Sequence, residues 1–214
     1  MSFKVLLMKA EQDYIRDIAE IRTMMERSSK FLSLSGWAGI MAGIYALAGA
    51  FIAYKFFGLN PSEIGSGDNA GILRENLWKV MILGIIIIIL AIASAVYLSY
   101  QRAKTRGEKL WNPIARQMLV HMLVPLVTGG LLILILLSKG WIGLIAPFSL
   151  IFYGLALYNG SKFTYEEVKI VGLIEIALGL VSTYFIGYGL IFWAVGFGVI
   201  HIVYGILMHY RYER

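Results

Sequence analysis

The sequence predicts an all-α polytopic membrane protein: six transmembrane helices in three in–out–in hairpins, preceded by an amphipathic cytoplasmic helix. Three observations predict it. The chain is 59% hydrophobic and only 15% charged over 214 residues, and its mean hydropathy is +0.74, whereas soluble domains are about 45–50% apolar and about 25% charged. Six stretches reach the roughly 20 apolar residues that a helix needs to cross a hydrocarbon core about 30 Å thick. The Lys and Arg residues divide unequally between the two sides those stretches define. Disorder and disulfide scaffolds are excluded by the apolar content and by the absence of cysteine, which also removes thiolate nucleophiles and Cys-type metal sites.

The six stretches are 33–57, 78–100, 117–138, 140–158, 166–186 and 189–210. They divide the chain into a cytoplasmic helix (1–32), a transmembrane domain (33–210) and a cytoplasmic tail (211–214). The N-terminus is no signal peptide, because its apolar run Val5–Met8 is too short and charges follow at once. Fifteen Lys and Arg residues fall on the side of the termini and four on the other (Lys55, Arg74, Lys79, Lys139). The positive-inside rule therefore puts both termini in the cytoplasm. The net charge of +6 sits mostly at cytoplasmic span ends, where anionic headgroups are the matching partner. No nucleic-acid motif accompanies it.

Local signals mark the span ends. Asn112-Pro113 reads as N-cap and first residue of span 3. Thr164-Tyr165-Glu166-Glu167 reads as a capping box opening span 5, and Asn159-Gly160 as the stop of span 4. Pro125 and Pro147 are expected to kink spans 3 and 4.

Within residues 1–32, Tyr14, Ile18, Ile21 and Met25 step by three and four, the spacing of a helical seam. That seam reads either as a surface helix lying on the membrane or as a self-association helix making a homo-oligomer. The loop 58–77 carries Glu63, Asp68 and Glu75 without EF-hand spacing, and reads as a solvated loop.

The spans are rich in small residues at packing distance. Gly39 and Gly43 lie on span 1, Gly172 and Gly179 on span 5, and Gly198 and Gly205 on span 6. A parallel repeat is visible: Tyr153-Gly154-Leu155-Ala156-Leu157 closes span 4 as Tyr204-Gly205-Ile206-Leu207-Met208 closes span 6.

The stretch Gly172-LIEIALGL, followed by Gly187-Tyr-Gly-LIFWAVGFGVIHIVYGI, resembles a family of uncharacterised bacterial six-span integral membrane proteins. The hairpin style of spans 3–6 is similar to the HdeD-like acid-resistance membrane proteins. The resemblance implies a stress-related inner-membrane role and brings no catalytic residues. The long charged N-terminal segment departs from the HdeD-like pattern.

One carboxylate lies deep in a span. Glu175 is nine residues from Glu166, about 14 Å into the membrane. The turn near Tyr188 places His201 at the same depth, and both residues lie on small-residue faces expected to pack together. A charge at that depth costs about 3 kcal/mol or more, so the acid must pair, protonate or face water. The contact reads either as a hydrogen bond that fixes the hairpin or as a proton- or cation-responsive site. No catalytic constellation, metal-ligand spacing or cofactor motif is present. The expectation is a non-enzymatic homo-oligomeric scaffold or stress protein; the alternative is a small proton- or cation-linked transporter or channel using Glu175 and His201.

Overall fold

The computed structural model describes residues 31–32, 34–58, 70–107 and 109–213. The seam of Tyr14, Ile18, Ile21 and Met25 and the acids Glu63 and Asp68 lie outside them. Of the described residues, 89% are helical and none is in a strand. The helices are α1 (Gly36–Phe57), α2 (Ala70–Thr105), α3 (Pro113–Ser138), α4 (Ile145–Gly160), α5 (Glu166–Tyr184), α6 (Gly189–Trp193) and α7 (His201–Tyr212). A π segment, Ala194–Ile200, joins α6 to α7, and the three form one continuous rod. Short 3-10 turns at Ile142–Leu144, Ser161–Phe163 and Ile186–Tyr188 link the later helices.

Among the described residues five helical stretches are long and apolar enough to cross a membrane: Gly36–Phe57, Trp78–Thr105, Pro113–Ser138, Ile142–Phe163 and Ile186–Tyr212. This is the make-up of a multi-pass membrane protein. The sequence leads one to expect six spans; α5 is the sixth rod, but its 19 residues include Glu166, Glu167, Lys169 and Glu175. Much of the surface is apolar, as lipid contact requires. Ile85, Ile86, Ile88 and Ile89 of α2 are exposed, while Ile87 turns inward to meet Gly49 of α1.

Glycines set which helices touch. A Cβ on Gly154 of α4 would stand 2.6 Å from the carbonyl oxygen of Gly172 and 2.8 Å from the N of Ile176 in α5. A Cβ on Gly205 of α7 would stand 2.5 Å from the carbonyl oxygen of Gly36 and 2.6 Å from the N of Ile40 in α1. The match continues along both interfaces. Gly179 faces the Pro147 carbonyl and Ile151, and Gly43 faces the Gly198 carbonyl and Ile202. Pro147, Ile151 and Gly154 thus have the spacing of Gly198, Ile202 and Gly205, and Gly172, Ile176 and Gly179 that of Gly36, Ile40 and Gly43. Two interfaces of the bundle, α4 on α5 and the rod on α1, are built on one register. Close backbone approach of this kind replaces the hydrophobic drive that lipid removes.

These pairings correct one expectation. The glycine face of α5 does not pack on that of the rod. It packs on α4, and the rod's packs on α1, because helical periodicity defines a face and not its neighbour.

The helix ends bring further corrections. Asn112 caps α3 as expected, its side-chain oxygen accepting from Ala115 N at 2.7 Å with Pro113 opening the helix. Asn112→Ala is expected to cost about 1 kcal/mol, measurable as a lower midpoint of thermal unfolding in detergent. Thr164 is no N-cap. Tyr165 takes that position without a side-chain bond, and the Thr164 hydroxyl donates to Phe31 O instead, at 2.8 Å. α4 does end at Gly160, but without a left-handed stop: Gly160 is right-handed helical (φ −67°), a 3-10 turn follows, and the lack of a side chain admits Met122 of α3. Pro147 sits two residues past the junction of a 3-10 turn with α4, so it starts a helix instead of bending one.

One end of the bundle is bound together by polar contacts. Phe31, Leu32 and Leu34 wedge between α3 and the α5–α7 pair, with Phe31 buried on Ala115 and Met118, and Leu34 against both groups. Phe31 N donates to Phe163 O at 2.6 Å, and the Tyr165 hydroxyl donates to Leu32 O at 2.7 Å. Arg102, at the end of α2, donates to the carbonyl of Leu34, to Glu213 at 2.6 Å, to the Tyr165 hydroxyl at 3.3 Å and to Tyr212 O at 3.0 Å. Glu213 also accepts from Gly36 N at 2.7 Å. Four segments distant in sequence meet on this one guanidinium.

Candidate functional site

Glu175 occupies the face of α5 that carries Gly172, Gly179 and Ser182, all buried. The two glycines draw α4 in so closely that the longer side chain between them is enclosed. Glu175 is 0% exposed. Its Oε2 lies against Gly196 of the π segment, where a Cβ would stand 2.5 Å from that oxygen and 2.5 Å from Leu150 Cδ2. Leu150, on α4, is itself 0% exposed.

His201 begins α7, one residue beyond the π segment. Its Nδ1 is 3.5 Å from Glu175 Oε1 and 3.0 Å from the Gly196 carbonyl oxygen; its Nε2 is 2.8 Å from the Tyr153 hydroxyl. A carbonyl oxygen only accepts, so Nδ1 carries hydrogen and donates to Gly196. In the neutral ring Nε2 is then the acceptor, and the Tyr153 O–H donates to it. His201 is thus bonded at both nitrogens, and Glu175 stands just beyond hydrogen-bonding distance of a donor already in use. Neither oxygen of Glu175 has a hydrogen-bond partner among the described residues.

Aromatic rings close the site on the rod side. Phe197 lies 4.9 Å from Tyr153, 6.0 Å from His201 and 5.1 Å from Trp193, measured between ring centroids. Behind the rod, the backbone of Gly39 in α1 meets the His201 carbonyl. The site is therefore drawn from α4, α5 and the rod. π-helical turns recur at functional sites because they free a carbonyl from the helical ladder, and here the His201 side chain takes the Gly196 carbonyl.

Periodicity and depth placed Glu175 and His201 near one another, and the structure puts them 3.5 Å apart. Sequence reasoning missed Tyr153 as the third member. Its signal is present in the sequence, where Tyr153 stands beside Gly154 in the repeat, but only as a pattern. By the shared glycine register, Glu175 corresponds to Gly39 and His201 to Leu150, so the polar group occupies one copy of the repeat.

The remaining histidines lie elsewhere. His121 is exposed on α3, donates through Nδ1 to Gln117 O (2.8 Å) and packs on Phe163. With Trp111, Pro113, Arg116 and Val120 it lines a groove of about 500 Å³. His209 pairs with Glu213 at 2.6 Å. Among the described residues no group of three or more His, Asp and Glu side chains is placed to hold a metal ion.

No family model, no curated protein and no solved structure matches the chain.

Proposed function

We propose that the chain is a non-enzymatic, six-span integral protein of a bacterial inner membrane, with both termini cytoplasmic, acting as a homo-oligomeric scaffold in a stress-related role. The observation that carries this reading is closure: Glu175 and Ser182, the polar groups deepest in the bundle, are 0% exposed beneath glycine-locked helices. The resemblance of spans 3–6 to acid-resistance membrane proteins supports the stress role. The clasp around Arg102, which gathers Leu34, the end of α2 and the end of α7, supports a common side for both termini. The clustered Lys and Arg residues support that side being the cytoplasm, facing anionic headgroups.

A second reading, a small proton- or cation-linked transporter, is favoured by one observation. Among the described residues both oxygens of Glu175 lack a hydrogen-bond partner, which a purely structural contact would have supplied.

Crosslinking in membranes, with and without residues 1–30, tests the scaffold. Its expected result is an oligomer for the full chain that is lost when the segment is removed. An unchanged crosslinking pattern would remove the N-terminal segment from assembly, and a monomer in both cases would end the scaffold reading.

A further inference from the structure

We propose that the species bound at Glu175 is a proton, and that the site is packed too tightly to hold a metal cation. The inference rests on the transporter reading and names its substrate class. A sodium- or calcium-sized ion takes about six oxygens at 2.3–2.6 Å. Among the described residues the site offers the two oxygens of Glu175, the Gly196 carbonyl, which His201 already engages, and the Tyr153 hydroxyl, which is engaged on His201 Nε2. Ser182 Oγ also has no partner, but it lies seven residues along α5, about 10 Å away at 1.5 Å per residue, too far to complete one coordination shell. The space beside Oε2 would not admit a single methyl group at Gly196 without a 2.5 Å contact. A proton needs no such volume.

The same geometry supplies two states. With the proton bound, Glu175 is a neutral acid, His201 donates to Gly196 O and Tyr153 donates to His201 Nε2. On release, the carboxyl O–H bond breaks, its electron pair stays on the oxygen, and the proton passes to a water molecule admitted as the helices part. The carboxylate left behind faces His201 Nδ1–H at 3.5 Å. A shift of about half an ångström turns that donor from Gly196 to Oε1 at ordinary hydrogen-bond length. The π segment, with its glycines at 196 and 198, is the backbone that loses the bond. Rebinding reverses each step.

The groups that face Glu175 are few. Tyr153 comes from α4 and His201 from the rod; Tyr204, one turn beyond His201, packs instead against Tyr165, Val168 and Met208. On α5 itself no other acid or base lies within one turn of Glu175. From α1 the nearest contribution is the Gly39 backbone behind His201.

Infrared difference spectroscopy on the full chain in lipid nanodiscs, titrated from acid to alkaline, tests the proposal. The expected result is a protonated-carboxyl band that disappears reversibly on alkalinisation, is absent in Glu175→Gln and ignores added sodium, potassium or calcium at fixed pH. His201→Phe removes the donor that receives the carboxylate, so proton affinity should rise about tenfold and the band persist to more alkaline pH. If Glu175→Gln does not fold, Glu175→Asp, which keeps the acid, identifies the band by its displacement. No Glu175-dependent band at any pH, or a band removed by cations at fixed pH, would overturn the proton site. A pH-gradient flux assay in proteoliposomes separates the two ideas. A titrating band without flux ends the transporter reading and leaves the proton site standing.

Discussion

Replacing Gly205 or Gly154 with valine is expected to destabilise the protein by about 3 kcal/mol each, near the top of the range for overpacked positions. The reason is what the new side chain would strike. At Gly205 the first carbon alone would stand 2.5 Å from the Gly36 carbonyl oxygen and 2.6 Å from Ile40 N; at Gly154 it would stand 2.6 Å from the Gly172 carbonyl oxygen. These are backbone atoms of a facing helix and cannot swing aside as a side chain does. The helices would have to separate, and the contacts along α1 and the rod, or α4 and α5, would loosen with them. Gly84 and Gly130 are the matched controls, because nothing stands within 4 Å of a Cβ at either. Valine there should change stability by about 0.5 kcal/mol or less. Unfolding of all four variants by a denaturing detergent gives the comparison, and equal losses at all four would contradict the glycine register.

The second large effect is expected at Arg102. Removing one partner of a buried ion pair costs about 3–5 kcal/mol, and the Arg102 and Glu213 side chains are only 9% and 12% exposed. Arg102→Ala should fall in that range, since it also strands the carbonyl of Leu34 and leaves that of Tyr212 with Arg106 at 3.4 Å. Lysine should rescue only part of the loss, because an ammonium cannot span acceptors on three segments as a planar guanidinium does. The pair also carries a pH signature. Burial pushes the Glu213 carboxyl up, but the bonds from His209, Gly36 N–H, Arg102 and Ser35 outweigh it and hold the group below its ordinary value near 4.5. A group whose folded value is lowered contributes fully above its unfolded value and loses that contribution as pH falls through the folded one. Stability should therefore drop as pH falls below about 4.5, and the drop should be shallower in Arg102→Ala. Thermal unfolding of both proteins across that range gives the comparison.

Much of this arrangement is legible in the residues themselves. The long apolar stretches set the helices, Asn112-Pro113 set a boundary, and the three- and four-residue spacings of glycine marked the close-packing faces. What the spacings lacked was the identity of the neighbour. A face on α5 fits α4 as well as it fits the rod, and the choice is made by backbone contacts between residues distant in the chain. The π segment has no local signature, since its Ala-Val-Gly-Phe-Gly-Val-Ile continues the apolar pattern of its surroundings. The Arg102 clasp was hidden for a related reason: a basic residue at a span end reads as a headgroup contact, and only the fold brings Glu213 to it. Thr164 shows the reverse error, where a capping pattern was overridden by a tertiary acceptor, the Phe31 carbonyl.

A proton site at Glu175 in mid-membrane requires α5 to cross the bilayer, and α5 is the helix whose charges keep it from spanning on apolar content alone. The chain contains no cysteine, so single cysteines at Ser66, Thr105, Lys139, Ser161, Tyr188 and Arg214 report topology on an otherwise natural background. Labelling intact cells with a membrane-impermeant maleimide should mark Ser66→Cys, Lys139→Cys and Tyr188→Cys, whereas Thr105→Cys, Ser161→Cys and Arg214→Cys should react only after the membrane is opened. Ser161→Cys and Tyr188→Cys reacting from the same side would mean that α5 does not cross, and would contradict a six-span protein with Glu175 at its centre.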